Sequence, residues 1–476
     1  MIIALPNVVL GQDIYLKKSW KKQVFSATKK NYEFNYRQNI NNVHHSFKPW
    51  DISTLKNGGT LLVNNKVFFK SDTLYYSDEY KVVSKTNLSD NSLSVGINGK
   101  SKEVNDVIYF SEFINTAKYF PHFILDIFYK EKLVSNSKSD SKTATYSLKK
   151  QNTEINLYID KTSFLVQKIE ITSNNYLDDE LYGFGDVRNE YFYDNYQKID
   201  KKFIAKRVFI NKLNGKLKDT LDMNYSVSHK VILDTVKRLN IEKYNGIEPD
   251  ITIEEFRDNI HLINFHHAGT RSLLVEFSNY LCLIDAPLNS ENGELLKNEI
   301  KKMIPNKPIK YFSFGHFHPH YTGGIRPFIA DNAEIICPNN LKDYINYIAN
   351  SSYRLKPDEL ENSPKEVKFQ LISDELTIKD EKTEMRIINI GEKSKHTQDY
   401  LLFYFPKEKI IFQDDLVWIN EKTTKQNLYP QTVGFYNAVK DLNLQIDVII
   451  QNWKVFDKTK KMIYNFKDLE AIMNKE

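Results

Sequence analysis

Short runs of alternating apolar and polar residues, separated by turn-forming residues, dominate the chain from about residue 50 to 235. In EINLYIDKTSFLVQKIEI, Ile155, Leu157 and Ile159 alternate with polar residues, DKTS provides a turn, and the alternation resumes as far as Ile171. A period of two places the apolar side chains on one face of an extended strand. The pattern therefore predicts an antiparallel sheet built from hairpins.

One segment of this half has helical periodicity instead. The stretch FINTAKYFPHFILDIFYK, residues 113 to 130, carries apolar residues at spacings of three and four and is interrupted by Pro121. Proline cannot continue a helix because it lacks the backbone N–H. We predict a helix here, broken at the proline and packed against the sheet.

The pattern changes near the middle of the chain. Residues 241–258 are polar, carry Gly246 and Pro249, and are typical of a link between domains. Beyond it, apolar strands such as SLLVEF and YLCLIDAP alternate with helical stretches such as SENGELLKNEIKKMI. That alternation predicts a layered arrangement of helices and strands. We predict an α+β protein of two domains, a β-rich domain over 13–240 and a layered domain over 259–476.

Composition limits the classes of partner. At 476 residues the chain is long enough for more than one domain. Its formal charge of +5 comes from 66 basic and 61 acidic residues that are interspersed, so no basic stripe predicts nucleic-acid binding. No apolar run is long enough for a membrane-spanning helix. A small-molecule substrate is the expected partner, and the oligomeric state stays open.

The first residues suggest export. Residues 1–12 are mostly apolar and end in Gly11 and Gln12, like the second half of a secretory signal, but they lack its basic leader. We predict the remnant of an export signal and a periplasmic or exported protein. The alternatives are a first β-strand and a cytoplasmic protein.

Three histidines stand at alternate positions in FGHFHPHYTGG, residues 314 to 324. Where a strand runs into a loop, His316 and His318 point the same way, so both imidazoles can converge on one ion. His320 either joins them or turns away with the loop. Neutral imidazole is a common ligand of zinc, iron, copper and nickel. Gly323 and Gly324 allow a close backbone approach and the start of a helix.

This region resembles the signature of the metallo-β-lactamase superfamily, in which a strand ends in His-x-His-x-Asp-His-x-Gly-Gly. Later features occur in the same order: LLVEFSNYLCLIDAP ends near Asp285, SKHTQDY supplies His396, and FQDD supplies Asp415. The resemblance covers about 260 to 455. It implies an αββα sandwich for the second domain.

The resemblance also implies a ligand set. The matching metal ligands are His316, His318 and His396, with Asp415 as the bridging carboxylate. Four positions depart from the family pattern. The motif Asp is His320, the following His is Tyr321, the Gly of the Phe-x-Gly-Asp turn is Asp414, and the last His is replaced near Trp453. In family terms the first metal site is kept and the second is lost.

We therefore predict a hydrolase with one zinc ion. Three imidazoles and a water form an open zinc site that lowers the pKa of the water to about 7 and yields a hydroxide nucleophile. The hydroxide would cleave an ester, thioester, lactone or amide. His320 is a candidate base. The Tyr321 hydroxyl could donate to a developing oxyanion, and Asp415 is a candidate ligand or catalytic carboxylate.

Two alternatives remain open at this stage. In the first, the site is dismantled and the domain is an inactive binding or scaffold protein, as the four departures suggest. In the second, His316, His396 and Asp415 form a two-histidine, one-carboxylate site for mononuclear iron of the oxygenase type. That arrangement would leave His318 outside the ligand set.

The first domain is similar to periplasmic lipoprotein-carrier-like sheets, in which a curved antiparallel sheet wraps a helix. The likeness rests on INLYIDKTSFLVQKIEI followed by FYDNYQKIDKKFIAKRVFI. Such a domain either binds an apolar ligand or covers an edge of the catalytic domain. Among the remaining histidines, His266 and His267 are candidate pocket residues, and His44 and His45 are expected at the surface.

Overall fold

The computed structural model divides the chain into two compact units. It describes residues 13–25, 31–43, 45–63, 68–75, 81–89, 92–97, 100–103, 113–174, 182–228, 249–420, 422–454 and 461–475. The first unit comprises Met1–Asn42, Ser53–Leu177 and Val187–Gly246. The second unit comprises Val43–Ile52, Asp178–Asp186 and Ile247–Glu476. Two short stretches from the first half of the chain thus belong to the second unit, which the sequence did not predict.

The first unit contains a twelve-stranded antiparallel sheet. Its strands are β1 (Asn31–Asn42), β2 (Ser53–Val63), β3 (Phe68–Tyr75), β4 (Lys81–Ser89), β5 (Ser92–Ile97), β6 (Lys100–Glu103), β7 (Thr143–Lys150), β8 (Thr153–Asp160), β9 (Val166–Ser173), β10 (Val187–Ile199), β11 (Lys202–Lys212) and β12 (Leu217–Ser228). The order is β6-β5-β4-β3-β2-β1-β12-β11-β10-β9-β8-β7. Ile155 of β8 lies opposite Ile171 of β9, which confirms the hairpin predicted there.

Two helices share a core with this sheet. Helix α1 (Ile14–Gln23) buries Leu16, and α2 (His122–Lys130) buries Leu125 and Phe128, in one cluster with the strand residue Leu157. Pro121 immediately precedes α2, as predicted from its inability to continue a helix. The structure thus shows an antiparallel sheet covered by helices. The likeness to lipoprotein carriers stays a prediction.

The second unit contains two sheets that pack face to face. The seven-stranded sheet runs in the order β13 (Ile251–Arg257), β14 (Ile260–Phe265), β15 (Thr270–Glu276), β16 (Leu281–Ile284), β17 (Ile309–Ser313), β18 (Glu334–Pro338) and β19 (Lys368–Ile372). The six-stranded sheet runs in the order β20 (Glu375–Lys379), β21 (Glu384–Asn389), β22 (Leu401–Phe405), β23 (Ile410–Gln413), β24 (Val448–Gln451) and β25 (Ile463–Asn465). Leu273 and Val275 of the first sheet meet Phe403 and Phe412 of the second in a shared core.

Helices cover the outer faces of both sheets. They are α3 (Ser290–Met303), α4 (Pro319–Thr322), α5 (Arg326–Ala330), α6 (Lys342–Ala349), α7 (Glu359–Asn362), α8 (Pro430–Asp441) and α9 (Phe466–Met473). Phe435 of α8 and Leu469 of α9 pack on Leu402 of the six-stranded sheet. On the other side, Phe312 of β17 stacks on Phe328 of α5 at 5.1 Å between ring centroids. The layers are therefore helix, sheet, sheet, helix.

The prediction of a linker over 241–258 is wrong for residues 251–257. Its residues 241–248 lie outside the described residues, whereas 251–257 form β13, which pairs antiparallel with β14. Ile251 and Ile253 alternate with more exposed residues, as an edge strand requires.

The other predicted domain limits stay predictions, and the suggested export remnant 1–12 lies outside the described residues. None of the helices within the described ranges combines the length and apolar character needed to cross a membrane.

Candidate metal centre

The histidine motif occupies the short loop that follows a strand and a helical turn. Strand β17 ends at Ser313, and α4 begins at Pro319. The His318 carbonyl accepts hydrogen bonds from the backbone N–H groups of Tyr321 at 3.0 Å and Thr322 at 3.2 Å. Proline suits the first helical position because its missing N–H would have no partner there. The backbone of His318 is thereby fixed at the start of the helix.

The Gly-Gly pair holds this helix close to the loop after β16. A Cβ atom on Gly323 would overlap the Leu288 carbonyl, so only glycine fits. The N–H of Gly324 donates to the Ala286 carbonyl at 2.9 Å. The close backbone approach predicted for these glycines is thus present.

Three predicted ligands meet at one point. One ring nitrogen from each of His316, His318 and His396 lies within 4.8 Å of the others. His316 Nε2 and His318 Nδ1 are 2.9 Å apart, and both side chains are buried. Side chains from two loops separated by 78 to 80 residues of sequence therefore face one another.

The outward nitrogens of His316 and His318 contact hydrogen-bond acceptors. His316 Nδ1 is 2.7 Å from Asp414 Oδ2, and His318 Nε2 donates to the Ser46 carbonyl at 3.1 Å. A Cβ atom on Gly315 would overlap the Asp414 carboxyl group, so glycine permits this close approach. Outward acceptors of this kind orient metal-binding imidazoles in proteins.

His396 completes the cluster from the loop before β22. Its Nε2 lies 3.3 Å from Asp415 Oδ2, yet this buried atom makes no hydrogen bond among the residues that the structure describes. Asp415 Oδ2 is also 4.0 Å from His316 Nε2, while its Oδ1 accepts from the Tyr400 hydroxyl at 3.2 Å. Asp415 thus lies beside His396 and His316.

Burial and charge set the protonation of the three histidines differently. Burial lowers the pKa of both His316 and His318 well below the ordinary value, so both rings are neutral at neutral pH. Burial also opposes protonation of His396, but the Asp415 carboxylate outweighs it and raises the pKa of His396. In turn His396 and His316 overcome the burial of Asp415 and hold its pKa well below the ordinary value.

A second carboxyl pair lies behind the histidines. Burial raises the pKa of both Asp414 and Asp285; Asp285 raises the pKa of Asp414 further, whereas the hydrogen bond with Asp414 lowers that of Asp285. Asp285 accepts from the Gly315 N–H at 3.2 Å and from Asn452 Nδ2 at 2.9 Å. The pair therefore retains a proton at Asp414, the carboxyl group that contacts His316.

Two of the predicted catalytic side chains, His320 and Tyr321, have rings 6.2 Å apart but contact different neighbours. The His320 ring stacks 5.4 Å from His45 and lies 5.3 Å from Trp453, away from the three converging histidines. Burial, followed by the neighbouring His45, lowers the pKa of His320 to about 4. The Tyr321 ring is buried 4.4 Å from the His316 ring, and burial raises its pKa.

The structure adds residues that sequence reasoning missed. His45 is exposed, as expected, but its ring lies 5.2 Å from that of His318. His44 is outside the described residues. His266 contacts Thr252 and His267 contacts Asn292, so neither joins the three histidines. The Ser46 carbonyl and the Asp414 carboxyl group are the other additions.

Comparisons with known proteins concern the fold alone. No family model matches the chain, and no curated protein matches it in sequence. Among solved structures, the DIM-1 metallo-β-lactamase is similar at 18% identity over 47% of this chain and 96% of its own, with a TM-score of 0.35. A metallo-β-lactamase from Pontibacter korlensis is similar at 13% identity over 47% and 97%, with a TM-score of 0.35. A flavo di-iron protein variant from Thermotoga maritima is similar at 15% identity over 48% and 61%, with a TM-score of 0.34.

Proposed function

We propose that the second unit binds one zinc ion and hydrolyses an ester, thioester, lactone or amide bond of a small molecule. The observation that carries the proposal is the convergence of ring nitrogens from His316, His318 and His396 within 4.8 Å. The outward nitrogens of the first two are held by acceptors, which leaves their other nitrogens turned toward each other.

The protonation of these rings favours a cation between them. The Ser46 carbonyl can only accept, so Nε2 of His318 carries the hydrogen and Nδ1 of the neutral ring carries a lone pair. That lone pair faces His316 Nε2 at 2.9 Å. A cation bound between the rings would accept this lone pair, and Nε2 of His396, which lies 3.3 Å from Asp415 Oδ2, offers a third ligand.

Three imidazoles with room for a water are a typical set for catalytic zinc. When bound, zinc supplies a Lewis acid and lowers the pKa of a coordinated water to about 7. Asp415 is oriented by the Tyr400 hydroxyl and is the proposed group that holds this water. His320 is the proposed base, and Tyr321, whose ring lies against His316, is the proposed donor to the developing oxyanion.

A panel of chromogenic esters, thioesters, lactones and anilides tests the activity. Protein loaded with one zinc should cleave at least one class, chelated protein should not, and added zinc should restore the rate. A His396→Ala variant should fail to recover with zinc, because one ligand is gone. Turnover that survives both chelation and this substitution would contradict zinc-dependent hydrolysis.

One observation favours the iron alternative. Asp415 Oδ2 lies 3.3 Å from His396 Nε2 and 4.0 Å from His316 Nε2, so these three residues could hold iron together. The 2.9 Å separation between His316 and His318 favours the three-histidine set instead. Iron in the purified protein, with an electron paramagnetic resonance signal that persists in His318→Ala, would support the alternative.

We also propose that the protein is exported, as residues 1–12 suggest. Cell fractionation tests this proposal.

A further inference from the structure

The stretch Val43–Ile52, which we call the 43–52 segment, belongs to the second unit although it connects strands β1 and β2 of the first. Two consecutive backbone carbonyls of this segment contact the loops that carry the histidines. The Ser46 carbonyl accepts from His318 Nε2 at 3.1 Å, and the Phe47 carbonyl accepts from the Gln398 N–H at 2.7 Å. One short segment thus contacts both loops that carry the histidines.

The second of these contacts fixes the loop of the third histidine. Gln398 lies two residues after His396, and the N–H of His396 contacts the Ser394 hydroxyl at 3.2 Å. The Ser394 hydroxyl also donates to the Thr397 carbonyl at 3.2 Å. The loop is therefore held internally by Ser394 and externally by the carbonyl of Phe47.

The segment itself is anchored in the second unit by an aromatic cluster. The Trp50 ring lies 5.7 Å from that of Phe184, 5.6 Å from Tyr344 and 4.8 Å from Tyr347. Trp50 has a φ of 68° and His45 a φ of 46°, a left-handed conformation that is uncommon outside glycine. Backbone of this kind persists where surrounding contacts determine it. The two carbonyls are thus presented by a held segment.

We infer that the 43–52 segment is a positioning element of the metal centre. The Ser46 carbonyl selects the tautomer of His318 whose Nδ1 lone pair faces the site, and the Phe47 carbonyl holds the loop of His396. The inference rests on the proposed zinc site and extends it. Residues 249–476 contain all three histidines but lack both acceptors, so a complete centre needs residues from the first sixth of the chain.

A backbone acceptor is tested by replacing an amide with an ester in the full chain. Phenyllactate at position 47 makes the Ser46 carbonyl an ester carbonyl, which is a weaker acceptor. The corresponding hydroxy acid at position 48 weakens the Phe47 carbonyl in the same way. We expect zinc affinity, measured by competition with a chelating dye, to fall about tenfold in the position-47 ester, as for other groups that orient ligands. The position-48 ester should also lower it.

Two side-chain variants serve as matched controls. Ser46→Ala removes a buried hydroxyl that has no partner among the described residues, and Phe47→Ala removes a side chain that is 42% exposed. Both keep the backbone carbonyls, so zinc affinity should stay within about threefold of wild type. The visible spectrum of the cobalt-substituted protein should change in the esters and not in these controls. A general loss of structure would not produce that distinction.

The outcomes separate this inference from the proposed function. If the wild-type chain binds zinc and both esters bind it equally well, with unchanged cobalt spectra, the inference is overturned and the zinc site stands. If the wild-type chain binds no zinc, the proposed function fails. Should the esters not fold, Trp50→Ala replaces them, since it releases the anchor and leaves every histidine in place. Unchanged zinc affinity in that variant would likewise overturn the inference.

Discussion

Two buried histidines, one in each unit, show what separates a structural imidazole from a metal ligand. In the first unit, His122 Nδ1 accepts from the Phe25 N–H at 2.9 Å, and the Gln23 backbone contacts the ring as well. In the second unit, His318 has a backbone acceptor on one side only, and its other nitrogen faces His316 Nε2. Burial lowers the pKa of both rings. Burial and a low pKa therefore do not identify a ligand, whereas a ring nitrogen that faces other imidazole nitrogens instead of a backbone N–H does.

Removing each imidazole in turn tests most strongly whether His318 binds zinc and His122 does not. His318→Ala should weaken zinc binding on the order of 1,000-fold, because one of the protein ligands is lost. His122→Asn should leave zinc affinity unchanged, because His122 belongs to the other unit. Isothermal titration of zinc into each variant measures both effects.

The same pair of variants separates zinc from iron. If His318→Ala retains its metal with wild-type affinity, His318 lies outside the ligand set and the three-histidine account is wrong. If His122→Asn loses zinc while its second unit stays folded by hydrogen–deuterium exchange, the contrast between the two histidines fails.

The next largest effect should come from the group behind His316. Asp414→Asn replaces the carboxyl group 2.7 Å from His316 Nδ1 with a neutral amide, so the ring loses its orienting partner. We expect zinc affinity to fall about 10- to 100-fold. Asp441→Asn, which alters an exposed carboxylate whose ion pair among the described residues is with Lys393, serves as the control and should change affinity little. Equal affinities for the two variants would show that Asp414 does not orient the ligand.

A fall in pH should destabilise the first unit because His122 is buried without a proton. The pKa of its ring is about 3 in the folded chain, against 6.5 for an unperturbed histidine. Below pH 6.5 the unfolded chain therefore binds a proton that the folded chain excludes, so stability falls as the pH drops from 6.5 toward 3. The contribution of this group approaches about 1.4 kcal/mol per pH unit.

His122→Asn should flatten that acid dependence, although the variant is less stable near neutral pH. Urea unfolding between pH 7 and 5, followed by hydrogen–deuterium exchange of peptides from α1 and β8, gives the slope for both proteins. Parallel slopes would mean that the buried imidazole already binds a proton in the folded state.

The smallest change in zinc affinity is expected when His320 is replaced. Its ring contacts His45 and Trp453 and lies apart from the three converging nitrogens, so His320→Ala should alter zinc affinity less than about threefold. Any loss of hydrolysis in this variant would then reflect a catalytic role. A tenfold or greater loss of zinc would place His320 among the ligands instead.

Local patterns predicted most of the second unit. Alternating and continuous apolar runs located strands such as β14, β15 and β22. The spacing of His316 and His318 predicted that the two imidazoles converge, although both lie in the loop after β17 and not in a strand. The sequence missed α1, whose IYLKKSWKKQ is too polar to show a clear apolar stripe, and it missed β1, where asparagine and glutamine obscure the alternation. These elements are stabilised by tertiary burial rather than by local preference.

The supporting residues of the site could not be found in the same way. Ser46 and His318 are 272 residues apart, and a backbone carbonyl leaves no trace in the sequence. Asp414 was noticed only as a departure from a family pattern, although its carboxyl group contacts His316. A ligand is recognisable by its type and spacing, whereas its orienting partner is defined by contacts that only the fold creates.

Metal content per chain decides whether His316, His318 and His396 bind zinc. Elemental mass spectrometry would be applied to protein purified without chelators or a metal-affinity tag, alongside a His396→Ala variant prepared in parallel. We expect close to one zinc per wild-type chain and a loss of that zinc in the variant. A wild-type chain that holds no metal even after incubation with excess zinc would contradict this expectation and would indicate a binding or scaffold protein.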